Sequence, residues 1–294
     1  MTEEIGARGV WAWWPLRLVV FFLILSALDI GCQISPSLIA KHLTSVPKTA
    51  IVVIACLVLV AVMTAGYRLL VRWMEQRSAV ELSSLRAVPL ALGGAGIGVL
   101  LFCMVYLTLW ILGVASFHGL DTSSRLAVIA ATSAAAAIGE EIVFRGVVYR
   151  LFEEGFGTGI AVLLSGALFG LLHAGNPGAT LASSTAIALE AGVLLASAYA
   201  LTRSLWLPIG LHFGWNFTEG GIFGTSVSGG SSGGGLFNVR LVGPDALTGG
   251  QFGPEASLPA VGICLMAAIV ILILAEQRGK WMPMRFRLRA AGSA

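Results

Sequence analysis

Long apolar runs separated by short polar stretches set the pattern of this chain. They fall at about 11–31, 49–71, 88–117, 126–148, 158–174, 179–201, 205–222 and 257–275. A helix needs about 20 mostly apolar residues to cross the hydrocarbon core of a bilayer, and each run meets or approaches that length. The pattern predicts an all-α fold: a polytopic transmembrane bundle of about eight helices. The first three runs and the last are plainly apolar. The middle four contain ionisable residues, and two of them are short. Such spans belong inside a bundle, because polar groups facing lipid go unsatisfied. Gly94 with Gly98 and Gly166 with Gly170 are small-xxx-small pairs, which predict close helix packing.

Composition agrees. The 294 residues are 57% hydrophobic and only 11% charged, against about 25% charged in soluble domains. That is too little charge to cover a water-facing surface, and it excludes a soluble enzyme, a disordered chain and a nucleic-acid binder. The partner expected from composition is the lipid bilayer. The net charge of +3 then reports topology. Arg68, Arg72, Arg77 and Arg86, and the tail residues Arg278, Lys280, Arg285, Arg287 and Arg289, belong on the cytoplasmic side. With an even number of spans the N-terminus, carrying Arg8 and Arg17, lies there too. The opposite loops hold only Lys41, Lys48, Arg125 and Arg240. Trp11, Trp13, Trp14, Trp73, Trp206 and Trp281 lie near the expected interfaces. The four cysteines (Cys32, Cys56, Cys103, Cys264) lack metal or redox spacing and read as small buried hydrophobes. Glu3 and Glu4 argue against a cleavable signal peptide, and Asp29 against a lipid-modified Cys32. These features place the chain in a bacterial plasma membrane.

The expected organisation is 1–124, N-terminal helices; 125–225, a catalytic core; 226–256, an external Gly-rich loop; and 257–294, the last helix and basic tail. The loop around Ser228–Gly235 has flexible-linker chemistry.

The few charges inside apolar runs carry the chemistry: Asp29, Glu140, Glu141, Arg145, His173, Glu190 and His212, with Asn216 beside them. Each is costly to bury, so each is a candidate functional residue. Glu141 and Arg145 are i, i+4 on a helix and form a self-neutralising structural ion pair. Glu140 points about 100° away; with no cation of its own it suits general-base work on water. Phe169 and His173 share a face, as do His212 and Asn216. Lipid forces these three polar faces together. A carboxylate, two imidazoles and an amide can activate water and stabilise an oxyanion; Glu140, His173 and His212 could equally hold Zn²⁺. Glu190 reads as a structural polar contact, and Asp29, near the outer end of the first helix, has no assigned role.

In this order on successive helices, Glu140-Glu141-x-x-x-Arg145, Phe169-x-x-x-His173 and His212-x-x-x-Asn216 resemble the CAAX prenyl endopeptidase type 2 family, also called CPBP or Abi proteins, with lysostaphin-resistance-like members. The flanking stretch from Thr202 to His212 is also similar to bacterial members. The resemblance covers roughly 125–225. It implies an eight-helix intramembrane protease, labelled a metalloprotease, in which Glu140 activates water. His173, His212 and Asn216 would complete the catalytic set as metal ligands or oxyanion stabilisers, and Phe169 would line it. A prenylated substrate does not follow from it; peptide precursors and membrane-anchored proteins are equally open. Other intramembrane protease chemistries fit poorly. There is no His-Glu-x-x-His, Asp29 has no second aspartate, and nothing places a His beside Ser165 or Ser226. The competing readings are a non-catalytic scaffold or immunity protein on the same fold, and a proton-coupled transporter, which predicts internal repeats that the chain lacks.

Overall fold

The computed structural model describes residues 13–42 (side chains as far as Gly31), 46–121, 125–230 and 234–284. The predicted roles of Glu3, Glu4, Arg8, Trp11, Arg285, Arg287 and Arg289, and of the side chains of Cys32 and Lys41, lie outside the described residues.

Each of the eight predicted runs is helical. α1 spans Trp14–His42 and α2 Lys48–Leu70, closing in a π-helical turn, Val71–Glu75. After two 3-10 turns, Val80–Leu82 and Ser84–Arg86, comes α3, Ala87–Ile111. α4 begins as Leu126–Glu141, passes into a π-helix over Ile142–Tyr149 and ends as Arg150–Phe156. α5 is Thr158–His173. α6 comprises Leu181–Ile187, a π turn at Ala188–Gly192 and Val193–Thr202. α7 is Trp206–Asn216 with a π-helical extension, Phe217–Ile222, and α8 is Leu258–Gln277. Six helical stretches are long and apolar enough to cross a membrane, and Thr158–His173 is a shorter apolar one. The chain is an integral membrane protein.

The structure departs from the sequence reading in three places. α1 continues to His42 instead of stopping near 31, so Asp29 sits within the helix and not near its end. Its Oδ1 lies 2.7 Å from where a Cβ on Gly139 would be, against α4. The third run breaks at Gly113, which has a φ of +71°. The chain then forms strand β1, Ala115–Leu120, paired antiparallel with β2, Phe237–Leu241. The external loop expected over 226–256 therefore holds a strand past its Gly-rich stretch, and also a helical turn at Asp245–Thr248.

The small-residue pairs do what small residues do in apolar helices. A Cβ on Gly94 would lie 2.3 Å from the Leu207 carbonyl oxygen, and one on Gly98 2.3 Å from that of Leu211. α3 thus packs backbone to backbone against α7. Gly170 brings α5 equally close to α6, where a Cβ would lie 2.3 Å from the Ser184 carbonyl oxygen, and Gly166 less tightly, at 3.1 Å from that of Ala188. Two apolar cores result. One joins α1, α2, α4 and α5 through Phe21, Tyr67, Phe144 and Phe169. The other joins α3, α7 and α8 through Phe102, Trp215 and Cys264.

One end of the bundle is tied by ions. Glu75 accepts from Arg17 at 3.4 Å, Arg77 at 2.7 Å and Arg150 at 2.6 Å. Glu153 accepts from Tyr149 at 2.8 Å and also from Thr158 and Arg203. Arg203 ends α6 in the left-handed region at φ 57° and also donates to the Lys280 carbonyl. Burial works against its charge, but the hydrogen bond and charge of Glu153, together with Tyr149 and Tyr199, outweigh it and raise its pKa. The ends of α4, α6 and α8 and the start of α5 are thereby held level.

Candidate active site

From that ion-tied end, depth can be counted along the helices at 1.5 Å per residue. Glu140 is ten positions from Arg150, most of them in the π-helix, and His212 is six from the start of α7 at Trp206, which puts both roughly 9–14 Å in. His173 is fifteen positions from Thr158, about 22 Å in. All three motifs lie well away from that end of the bundle.

They meet closely. The Glu140 Oε2 atom lies 3.9 Å from His173 Nε2 and 4.0 Å from His212 Nε2. The other ring nitrogen of each histidine is already used. His173 Nδ1 donates to the Phe169 carbonyl at 2.8 Å, and His212 Nδ1 donates to Glu141 Oε1 at 3.0 Å. A carbonyl and a carboxylate can only accept, so each Nδ1 carries a proton, and a ring in its neutral form presents a bare Nε2 lone pair. Glu140 Oε2 itself is buried without a hydrogen-bond partner. With both rings neutral, three acceptors therefore face one small space with no donor among them.

The surroundings hold this trio in place. Arg145 donates to Glu141 at 2.9 Å and to the carbonyls of Ala191 and Gly192 at 3.2 and 3.0 Å. Neither member of this ion pair is exposed at all. The guanidinium also sits 4.7 Å above the Phe169 ring, whose centroid is 4.5 Å from that of His173 and 6.3 Å from that of His212. The π-helix of α4 starts directly after Glu141, and the π turns of α6 and α7 lie at Glu190 and directly after Asn216. Such widened turns recur at functional sites. The sequence reading placed α-helix at all three, because hydropathy does not report this irregularity.

A cavity adjoins the trio. It is lined by His173, His212, Asn216, Trp215 and Glu190, with Ser228 and Glu255 from the loop side, and leaves about 20 Å³ for water centres, room for one or two waters. The Trp215 Nε1 and Glu190 Oε1 atoms are buried without protein hydrogen-bond partners. Glu190 does not bond His212. Its carboxylate lies near the Cys264 thiol. Behind it are two buried glutamates that the sequence reading did not single out. Glu219 accepts the Glu255 N–H at 3.3 Å, and Glu255 accepts the N–H and hydroxyl of Ser228 at 2.7 and 2.8 Å. Glu219 falls inside the 205–222 run and was open to detection by the same criterion as Glu190. Glu255 lies between runs and carried no such signal. Ser165 is fully buried and bonds its own helix, while Ser226 bonds the Gly230 carbonyl.

The donor types suit a divalent metal, and both histidines have the second-sphere bonds that metal ligands usually have. The spacing is wide, however. Tetrahedral zinc with bonds near 2.0–2.1 Å sets its ligand atoms about 3.3 Å apart. Among the described residues no group of three or more His, Cys, Asp or Glu is disposed to hold a metal ion.

Comparison with known proteins agrees with the motifs. Residues 122–218 match the Rce1-like family, described as type II CAAX prenyl endopeptidase Rce1-like. Neither the curated proteins nor the solved structures yield a match.

Proposed function

We propose that this chain, whose central 122–218 segment belongs to the type II CAAX prenyl endopeptidase family, is an intramembrane endopeptidase that hydrolyses a peptide bond within the membrane. The observation that carries the reading is the convergence of His173 Nε2 and His212 Nε2 on Glu140 Oε2 at 3.9 and 4.0 Å. These separations are too long for direct hydrogen bonds. A water about 2.8 Å from Glu140 Oε2 and from a histidine Nε2 fits between them and can donate to two of the three acceptors. Glu140 takes one proton from that water as its oxygen attacks the scissile carbonyl carbon. The oxyanion forms beside the Asn216 amide, which can donate to it. Glu140 then passes the proton to the leaving nitrogen as the C–N bond breaks.

Glu141 and Arg145 touch no reacting atom in this scheme. Their role is to fix the His212 tautomer and ring plane. If Zn²⁺ binds, Glu140, His173 and His212 are the residues that would hold it, and the metal would supply Lewis-acid activation of water or carbonyl. The substrate we favour is a membrane-associated chain whose cleavable segment can reach Glu140, with a CAAX-type terminus or an anchored peptide precursor as the candidates. The arginine-rich end is assigned to the cytoplasm by its charge.

The test is cleavage of membrane-anchored candidate substrates by the purified, reconstituted chain and its Glu140→Gln variant. General-base catalysis contributes about 10²–10⁴-fold, and a loss of that size with unchanged thermal unfolding is expected. Full cleavage by the variant would remove Glu140 as the base, and retention of the chain's biological function by a variant that no longer cleaves would favour the scaffold reading.

A further inference from the structure

Four arginines at the ion-tied end are matched to carboxylates: Arg17 to Glu75 and Glu154, Arg77 to Glu75 and Glu81, Arg150 to Glu75, and Arg203 to Glu153. Among the described residues Arg86 and Arg278 have no such partner, nor do Arg68 and Arg72. For the last two, the one bond formed among the described residues is Arg68 to the Leu82 carbonyl at 3.3 Å. The two stand i, i+4 on one helical face, an arrangement that is unfavourable for like charges. Both line an open groove of about 1110 Å³ between the end of α2 and the 3-10 turns before α3. Ser78, Ser83 and Ser84 line the same groove. The groove therefore offers two uncompensated guanidiniums and three hydroxyl-bearing residues in one place, which is phosphate-binding chemistry.

Its flanks are apolar. Leu69, Trp73 and Val80 line it and are exposed, and Leu85 beside it is 92% exposed. Val88 and Leu92 continue the exposed apolar surface along α3. A free phosphate has no use for that surface, whereas an acyl chain does.

We propose that this groove is a binding site for an anionic phospholipid, its headgroup phosphate held by Arg68 and Arg72 and its chains lying against α2 and α3. The site is independent of the active-site reading, being built from a different face of the bundle.

Native mass spectrometry of the full chain exchanged into mixed phosphatidylglycerol/phosphatidylcholine nanodiscs tests this. Wild type should retain phosphatidylglycerol over phosphatidylcholine by about thirtyfold for two surface arginines. Arg68→Gln with Arg72→Gln should bring the ratio near unity, while Arg278→Gln, which does not line the groove, should leave it unchanged. Arg68→Lys with Arg72→Lys keeps the charge but loses the planar fork, and should also lower the ratio. A lysine pair that matches wild type would mean a diffuse field and overturn the site. So would equal retention of both lipids by wild type, or protection of the groove by millimolar inorganic phosphate in discs of phosphatidylcholine alone that equals protection by phosphatidylglycerol.

Discussion

His212 and Glu141 lie on different helices and are joined at 3.0 Å through Nδ1 and Oε1, both side chains nearly or wholly buried. The same carboxylate oxygen accepts from Arg145 at 2.9 Å. One buried anion thus holds a cation on its own helix and an imidazole on α7. Removing one partner of a buried pair leaves an uncompensated charge and costs about 3–5 kcal/mol. Glu141→Ala and Arg145→Ala should each lower the unfolding midpoint of the detergent-solubilised protein far more than Glu140→Gln. Equal stability of all three variants would contradict the division of labour between the two adjacent glutamates.

Phe169 predicts a subtler effect. Its ring is buried under the Arg145 guanidinium and meets Phe144 edge-on at 4.8 Å. Phe169→Leu retains most of the apolar volume but removes the face that attracts the cation, a loss of about 0.5–2 kcal/mol. His173 and His212 also lose the ring packed against them. The expected outcome is a modest drop in thermal stability with a larger fall in kcat than in substrate affinity, read from cleavage kinetics.

The glycines of α3 divide into two classes. A Cβ on Gly94 or Gly98 would press on α7 backbone at 2.3 Å, whereas one on Gly93 or Gly96 would meet nothing within 4 Å. Gly98→Ala should force α7 away and cost about 1–3 kcal/mol or more. Activity should fall as well, since α7 carries His212 and Asn216. Gly93→Ala should be neutral or stabilising by up to about 1 kcal/mol, the helix-propensity difference. Thermal melts of the two variants check this directly.

Much of this arrangement was legible in the sequence, and the parts that were not have physical reasons. Apolar length placed all eight helical runs, and Gly94, Gly98, Gly166 and Gly170 marked the close approaches. The motif residues Glu140, His173 and His212 do converge, because lipid leaves three polar faces nowhere else to go. Strand β1 was hidden because Ala115–Leu120 lacks clean alternation and its partner Phe237–Leu241 lies far along the chain. The π turns were hidden because they are backbone adjustments with no residue-type signature. Asp29 was misplaced because α1 continues through more polar residues to His42. Glu255 was missed because a charge in a loop is unremarkable until the fold buries it.

Glu190 is the case in which stability and chemistry should part. It is 1% exposed, with one carboxylate oxygen unpartnered, and it lines the cavity beside His212 and Asn216. An unsatisfied buried polar atom costs about 1–3 kcal/mol. Glu190→Met replaces it with an apolar chain of similar length that can still pack against Cys264, so the unfolding midpoint should rise. If the carboxylate helps hold the one or two waters that the cavity admits, the same change should lower kcat while leaving KM nearly unchanged, because no substrate contact is removed. A second variant, Cys264→Ala, touches the same contact from the dry side and should not reduce kcat. Higher stability with undiminished turnover in Glu190→Met would show that the carboxylate plays no part in hydrating the site.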